Sequence, residues 1–253
     1  MSISVAQAQD FFLAFTRIMA AIVHIPVLGG QMIPNQVRIS LGLLLTMFLI
    51  PWQILPATAV SIGVVAFIIA IGKELVIGTV AGFSADLVFG AVQIAAEAMG
   101  LGSGFSSNQI FNPVMGESGS SFEQIFVLLA TMYFLAIDGH YQVLLALQKM
   151  FEILPIQGTM PFSDPTLLLQ MTSQMILAGI QLSLPVLVAL LLTDLSLGLL
   201  ARITPQIQVY FLGLPVKLGI SLLALGSAIV VLLPLVGNLY NDLGSKMLML
   251  LEK

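Results

Sequence analysis

The sequence predicts an all-α integral membrane protein built from helical hairpins, on three observations. Hydrophobic residues make up 58% of the chain and charged residues only 8%, against roughly 25% charged residues in ordinary soluble domains. The apolar residues form long runs, and polar stretches rich in proline or glycine separate those runs. At about 20 apolar residues per span, the 253 residues suffice for about six helices and leave little for a soluble domain.

The first three apolar segments are predicted as helices over residues 11–28, 39–50 and 60–100. The first ends at Pro26, and the second ends at Pro51. The second is short for a full span, so spanning, re-entrant and protein-buried placements all stay open. The third exceeds one bilayer thickness if it is continuous.

The remaining segments follow a polar, glycine-rich stretch at residues 101–121, where no regular helix is expected. Asp138 and Gly139 split the fourth segment, 122–154. A proline-rich linker at 155–165 is the best boundary between two halves, 1–160 and 161–253. The fifth and sixth segments, 175–203 and 209–239, carry internal prolines that membrane helices tolerate.

Polar side chains inside the first segment follow a single line. Asp10, Arg17 and His24 are spaced by seven residues and therefore share one helix face. An ionised arginine costs about 2.5–3.5 kcal/mol at the centre of a bilayer, so this line is expected to face protein or water. A packing stripe at an assembly interface and a proton relay through His24 are both open.

The third segment holds Lys73 and a ridge at steps of four that consists of Glu74, Gly78, Gly82, Asp86 and Gly90. The two glycines predict close packing against another helix. An ion or proton path is one interpretation of the carboxylates, and a helix buried in an assembly is the other. Asp194 stands alone in the fifth segment, so its partner is expected on another segment or subunit.

Several chemistries are excluded by what the sequence lacks. The chain has no cysteine, and its two histidines, His24 and His140, are too far apart for ligand spacing, so no metal site is predicted. No strand-associated phosphate loop and no G-x-S-x-G motif occur. The eight basic residues are scattered, which argues against nucleic-acid binding. We predict no catalytic residue, no cofactor and no enzymatic activity.

The glycine-rich stretch is unusually apolar for a solvent-exposed loop. Among its glycine, serine and asparagine residues are four large apolar ones, Phe105, Ile110, Phe111 and Met115. Backbone in such a segment must be solvated or buried in protein where its polar groups find partners. A plug that packs into a cavity and a mobile connection outside the membrane are the two interpretations.

Residues 201–217 carry the most specific pattern of the chain. Ala201-Arg202, Pro205-Gln206, Val209, Leu212-Gly213, Pro215 and Lys217 resemble the AR-xx-PQ-x-N-V-xx-LG-x-P-x-K signature of the FliR-type subunit of the flagellar type III export gate. Gly139-His140 and Phe111-Asn112-Pro113 also resemble this family. Gln208 replaces the family's asparagine.

The resemblance implies an export-gate subunit of the bacterial inner membrane at the flagellar basal body. It implies a helical ring with P-type and Q-type subunits and a B-type switch subunit, in contact with membrane lipid and transiently with unfolded protein substrates. The first half would resemble a P-type subunit and the second a Q-type hairpin. The family's plug loop maps onto residues 102–119, with the plug residues Gly102, Gly104, Phe105, Ile110, Phe111, Pro113, Met115 and Gly116.

The hairpin motif is interpreted as an assembly motif that consists of Arg202, Pro205, Gln206, Gly213, Pro215 and Lys217. Two other functions stay open. The homologous subunit of a virulence injectisome shares the motif. A secondary transporter would use Glu74, Asp86 and Asp194 as coupling carboxylates.

Overall fold

The computed structural model describes residues 4–30, 33–49, 62–105, 120–156, 158, 165–204 and 209–251. Every regular element in these ranges is an α-helix, which confirms the all-α class. In chain order the helices are α1 (Val5–Val23), α2 (Pro26–Gly29), α3 (Asn35–Leu49), α4 (Val64–Ser103), α5 (Ser121–Ala136), α6 (Gly139–Ile153), α7 (Pro165–Ile203), α8 (Val209–Asn241) and α9 (Leu243–Met249).

The described helices include three that are long and apolar enough to cross a membrane, within Val64–Ser103, Thr166–Ile203 and Phe211–Met249. The bent pair α5 and α6 raises the number to four if it counts as one span. Helix α3 is apolar but has 15 residues, which at 1.5 Å per residue is too short for a bilayer core of about 30 Å. Among the described residues, fewer helices therefore qualify as spans than the roughly six that the length of the sequence allowed.

Local sequence accounts for where α1 begins and ends. The Ser4 hydroxyl accepts a hydrogen bond from the Gln7 amide at 3.2 Å, and the Gln7 side chain accepts one from the Ser4 amide at 3.0 Å. This capping box starts the helix at Val5, six residues before the apolar run used to predict it. The helix stops before Pro26, which is the first residue of α2.

Two long helices extend beyond their predicted ends. Helix α4 has 40 residues and runs unbroken past Lys73 to Ser103, so the glycine-rich stretch is helical over residues 101–103, contrary to expectation. Helix α7 begins at Pro165 rather than at residue 175, because proline suits the first turn of a helix. Pro185, Pro215 and Pro234 lie inside α7 and α8 without ending them.

The fourth apolar segment breaks at the predicted position. Helix α5 ends at Ala136 and α6 begins at Gly139, and Asp138 between them adopts a left-handed conformation with a φ of 58°. That conformation is uncommon for a residue with a side chain, although aspartate tolerates it better than most.

The chain forms two compact units, and each is discontinuous in sequence. The first consists of Met1–Phe89, Asp138–Thr172 and Asn241–Lys253, and the second of Gly90–Ile137 and Ser173–Tyr240. The predicted halves 1–160 and 161–253 rest on similarity to two subunit types and stay a prediction.

Each unit has its own apolar core. In the first unit, Leu13, Ile18 and Ile22 of α1 are fully buried. In the second unit, Phe134 of α5 packs edge-on against Tyr240 of α8, with ring centroids 5.0 Å apart.

Candidate functional site

A fully buried arginine joins three elements of the first unit. Arg17 of α1 donates from Nε to Oε2 of Glu74 in α4 at 2.5 Å, and from Nη1 to the carbonyl of Leu154 after α6 at 2.5 Å. Its guanidinium carbon lies 4.8 Å from the ring centroid of Phe151. Arg17 and Glu74 are both 0% exposed. We refer to Arg17, Glu74, Phe151 and Leu154 as the arginine cluster.

The arginine cluster brings together charges that the sequence placed on separate stripes. Glu74 pairs with Arg17, and its neighbour Lys73 is only partly buried. Burying two charges costs several kcal/mol per ion, and close pairing together with further hydrogen bonds offsets that cost. Nη2 of Arg17 is buried without a hydrogen-bond partner among the described residues.

The predicted glycine contact lies directly next to the arginine cluster. A Cβ at Gly78 of α4 would come 2.2 Å from the carbonyl oxygen of Arg17, and a Cβ at Gly82 would come 2.5 Å from that of Ala21. Real Cβ atoms essentially never approach other atoms this closely. The glycines therefore allow α4 to contact the backbone of α1 at two points about one helical turn apart.

The other two polar residues of the line on α1, Asp10 and His24, are buried and partly buried. Asp10 is buried at 7% exposure, and Nδ1 of His24 lies 3.0 Å from the carbonyl oxygen of Ala20 in its own helix. Asp86, four residues after Gly82 on the same ridge of α4, is partly buried. The proton relay and the ion path stay predictions.

The start of the predicted plug loop turns sharply after α4. The hydroxyl of Ser103 donates to the carbonyl of Gly100 at 2.7 Å and accepts from the Phe105 amide at 3.3 Å. Gly104 between them has a φ of +82°, which glycine adopts without steric cost. Phe105 then packs on Phe122, with ring centroids 5.8 Å apart.

The two described ends of this loop lie against each other. A Cβ at Gly100 would come 2.3 Å from Oγ of Ser120, and the same oxygen caps α5 by accepting from the Glu123 amide at 3.1 Å. Gly102 faces α7, where its Cβ would lie 3.1 Å from Leu187. The other predicted plug residues lie outside the described residues: Ile110, Phe111, Pro113, Met115 and Gly116.

The predicted assembly motif is partly described. Arg202 is exposed in the last turn of α7, and Pro215 is exposed within α8. Gly213 is buried, and its Cβ would come 3.4 Å from Leu197. Pro205 and Gln206 lie outside the described residues.

Lys217 of this motif pairs with the carboxylate that had no local partner in the sequence. Its Nζ lies 2.6 Å from Oδ1 of Asp194, so the bridge joins α8 to α7. The expectation that Asp194 pairs with another segment therefore agrees with this contact.

Two contacts were missed because one partner in each is a backbone group. The Leu154 carbonyl of the arginine cluster is one. The other is Ile62, whose amide donates to Oε1 of Gln9 at 3.1 Å while its carbonyl accepts from Nε2 of Gln9 at 3.0 Å. No side-chain pattern marks either backbone position. Within the described ranges, no group of three or more histidine or acidic residues could hold a metal ion.

Comparisons with known proteins match nearly the whole chain. The model of a family described as Bacterial export proteins, family 1, matches residues 8–243. The chain is 32% identical to the flagellar biosynthetic protein FliR of Pectobacterium carotovorum subsp. carotovorum, over 92% of this chain and 89% of that relative. It is 32% identical to FliR of Escherichia coli strain K12, with the same coverage. It is 28% identical to FliR of Bacillus subtilis strain 168, over 91% of this chain and 90% of that relative.

Proposed function

Because the chain belongs to the FliR-type family of bacterial export proteins, we propose that it shapes and plugs the channel through which unfolded flagellar proteins are exported. The observation that carries this conclusion is the family match over residues 8–243. As a FliR-type subunit, the chain is a component of the flagellar type III export gate and works with other export subunits. Its long apolar helices agree with a place in the bacterial inner membrane at the flagellar basal body.

The partners that we propose are P-type and Q-type subunits in a helical ring, with a B-type switch subunit around it. The first half of the chain would take the position of a P-type subunit, and the second that of a Q-type hairpin. We further propose that the subunit is not an enzyme. Energy for export then comes from other components, and this chain acts by steric gating.

We propose that the loop after α4 is the plug. Two features of the described ends support this role. Ser103, Gly104 and Phe105 fix the direction in which the chain leaves α4, and Ser120 returns it beside Gly100. A loop held at both ends can be displaced and can return to the same place. Its displacement must cost only a modest free energy if an arriving substrate is to open the gate.

Deleting residues 104–116 is expected to make the assembled gate leaky to small ions, because nothing would then fill the closed lumen. Ion conductance of the purified complex in planar bilayers measures this. A matched control replaces residues 106–116 by the same number of glycines and serines, which keeps the length and removes the bulky side chains, and it should leak as well. Wild-type conductance in a correctly assembled deletion variant would refute the plug.

Arg202→Ala is expected to reduce recovery of the other export subunits in a pull-down on this chain. Arg202 is exposed at the end of α7, so its removal leaves the described fold without a lost contact and tests assembly alone. Arg202→Lys, which keeps the charge without the planar fork of donors, is the matched control and should retain more of the subunits. Unchanged assembly and export in the alanine variant would rule out the role of this residue.

Two alternative functions can be distinguished from this one by direct tests. Gene neighbours that encode injectisome components would favour the homologous virulence subunit. A secondary transporter using Glu74, Asp86 and Asp194 would catalyse solute uptake in vesicles as a lone purified chain. Glu74 is already paired with Arg17, which does not favour it as a coupling carboxylate.

A further inference from the structure

A small apolar void lies between α5 and α8 in the second unit. Phe126, Leu129 and Ala130 of α5 line one side, and four residues of α8 between Ile229 and Val236 line the other. The void measures about 10 Å³, which is at the lower limit for one water molecule, and its lining offers no polar group to hold one. It therefore stays dry, and the side chains around it lack some of the contacts that dense packing provides.

Pro234 interrupts the hydrogen bonds of α8 beside this void. Proline has no amide hydrogen, and its ring clashes with the carbonyl four residues earlier, which here belongs to Val230. The clash forces a helix to bend away from its proline. Pro234 is exposed and lies about 200° around the helix from Leu232 and Val236, which line the void. Bending at Pro234 therefore tilts α8 towards α5.

The end of α8 after Pro234 is held firmly on α5. A Cβ at Gly237 would lie 2.9 Å from the hydroxyl oxygen of Tyr133, so the two helices are in close contact at this point. One turn further, Tyr240 and Phe134 pack edge-on and are each 1% exposed. Helix α8 is thus fixed at its end and loosely packed at the void.

We propose that Pro234 is a hinge in α8. The arm before it, residues 209–233, tilts between two positions relative to α5, and the void is the space that the inward position fills. A void this small penalises the outward position only slightly, so the two positions are close in free energy and both are populated. The inference goes beyond the proposed function, since it holds whether or not the loop after α4 is a plug.

The hinge moves a contact far from the void. Leu214 lies in the arm, about 30 Å from Pro234 along the helix, so each degree of bending displaces it by about 0.5 Å. A Cβ at Gly104 would come 3.4 Å from Leu214, which places this end of the arm beside the turn that follows α4. Bending at Pro234 therefore changes the packing on that turn.

Pulsed EPR distances on the assembled gate test the hinge. The chain has no cysteine, so two introduced cysteines are the only labelling sites on it. Leu128→Cys on α5 and Leu223→Cys on the arm replace exposed residues. A change of about 20° in the bend, the size of a clear helix kink, moves position 223 by about 6 Å, since it lies about 16 Å from Pro234. We expect two distances that differ by this amount in the wild type.

Three substitutions in the labelled chain separate the hinge from general flexibility of α8. Pro234→Ala restores the missing hydrogen bond and should leave a single distance, the longer one. Ala130→Val fills the void and should remove the shorter distance. The matched control is Gly226→Ala, because Gly226 is exposed and its Cβ would meet nothing within 4 Å. It strengthens α8 away from the hinge and should keep both distances.

A second label pair checks the fixed end of α8. Leu128→Cys with Asn238→Cys, at another exposed position, should give one distance in every variant. A single wild-type distance between positions 128 and 223 would show a static bend and overturn the inference. Two distances that persist in Pro234→Ala would overturn it as well. Loss of the shorter distance in Gly226→Ala would assign the movement to the whole helix, which also contradicts a hinge at Pro234.

Discussion

Arg17→Leu is expected to destabilise the first unit by about 3–5 kcal/mol, since removing one partner of a buried ion pair leaves the other charge uncompensated. Glu74 would remain fully buried without its 2.5 Å partner, and the Leu154 carbonyl would lose its donor. The apparent Tm of the detergent-solubilised export complex should fall, and less folded chain should be recovered. A variant as stable as the wild type would show that the arginine cluster does not hold these helices together.

Two matched variants separate the charge from the hydrogen bond in the arginine cluster. Arg17→Leu combined with Glu74→Leu removes both charges, and such replacements are often neutral for stability. The Leu154 carbonyl still lacks its donor, which costs about 1–3 kcal/mol when the group stays buried. The double variant should therefore recover most, but not all, of the lost stability. Full recovery would show that the Leu154 hydrogen bond contributes nothing.

Gly78→Ala is expected to destabilise the first unit by about 1–3 kcal/mol, the usual cost of forcing extra volume into a packed contact. The new Cβ would lie 2.2 Å from the Arg17 carbonyl oxygen, which is backbone and cannot rotate away. Helix α4 must then move off α1, and the movement also stretches the neighbouring bond between Arg17 and Glu74. The measurement is again the apparent Tm of the solubilised complex.

Gly72→Ala is the control for this substitution in the same helix. Its Cβ would meet nothing within 4 Å, so only the higher helix propensity of alanine acts, and stability should rise by up to about 1 kcal/mol. Opposite signs at positions 72 and 78 would establish that the contact with α1, and not the backbone of α4, requires glycine at position 78. Equal effects would contradict that conclusion.

The sequence predicted which helix faces avoid lipid or pack closely, but it did not predict which residues of different helices contact each other. Heptad spacing placed Arg17 on a line that avoids lipid, and steps of four placed Gly78 on a packing face, because both follow from helix geometry alone. Neither pattern could show that these two faces meet, since that depends on how α1 and α4 are aligned. Arg17 and Glu74 are 57 positions apart, and no local rule relates them.

Contacts to backbone groups were beyond prediction for a different reason. Every residue offers an amide and a carbonyl, so nothing in the sequence distinguishes Leu154 or Ile62 as a partner. Two helices also begin earlier than predicted, because a residue that favours a helix start lies before the apolar run on which the prediction was based. Ser4 starts α1 before its apolar run begins, and Pro165 starts α7. For the loop after α4, the sequence predicted irregular backbone. It did not predict the turn at Gly104, which is seen only in the structure.

The contact between Gln9 and residue 62 has a consequence for how the chain can vary. The side-chain amide of Gln9 donates to and accepts from the main chain of Ile62, as a neighbouring strand would. Gln9 therefore contacts the main chain at position 62 and does not depend on the side chain of that residue. Position 62 is free to change identity among residues that keep their amide hydrogen, whereas position 9 is not, because only glutamine supplies both groups at that reach. Proline is the substitution at position 62 that this recognition forbids.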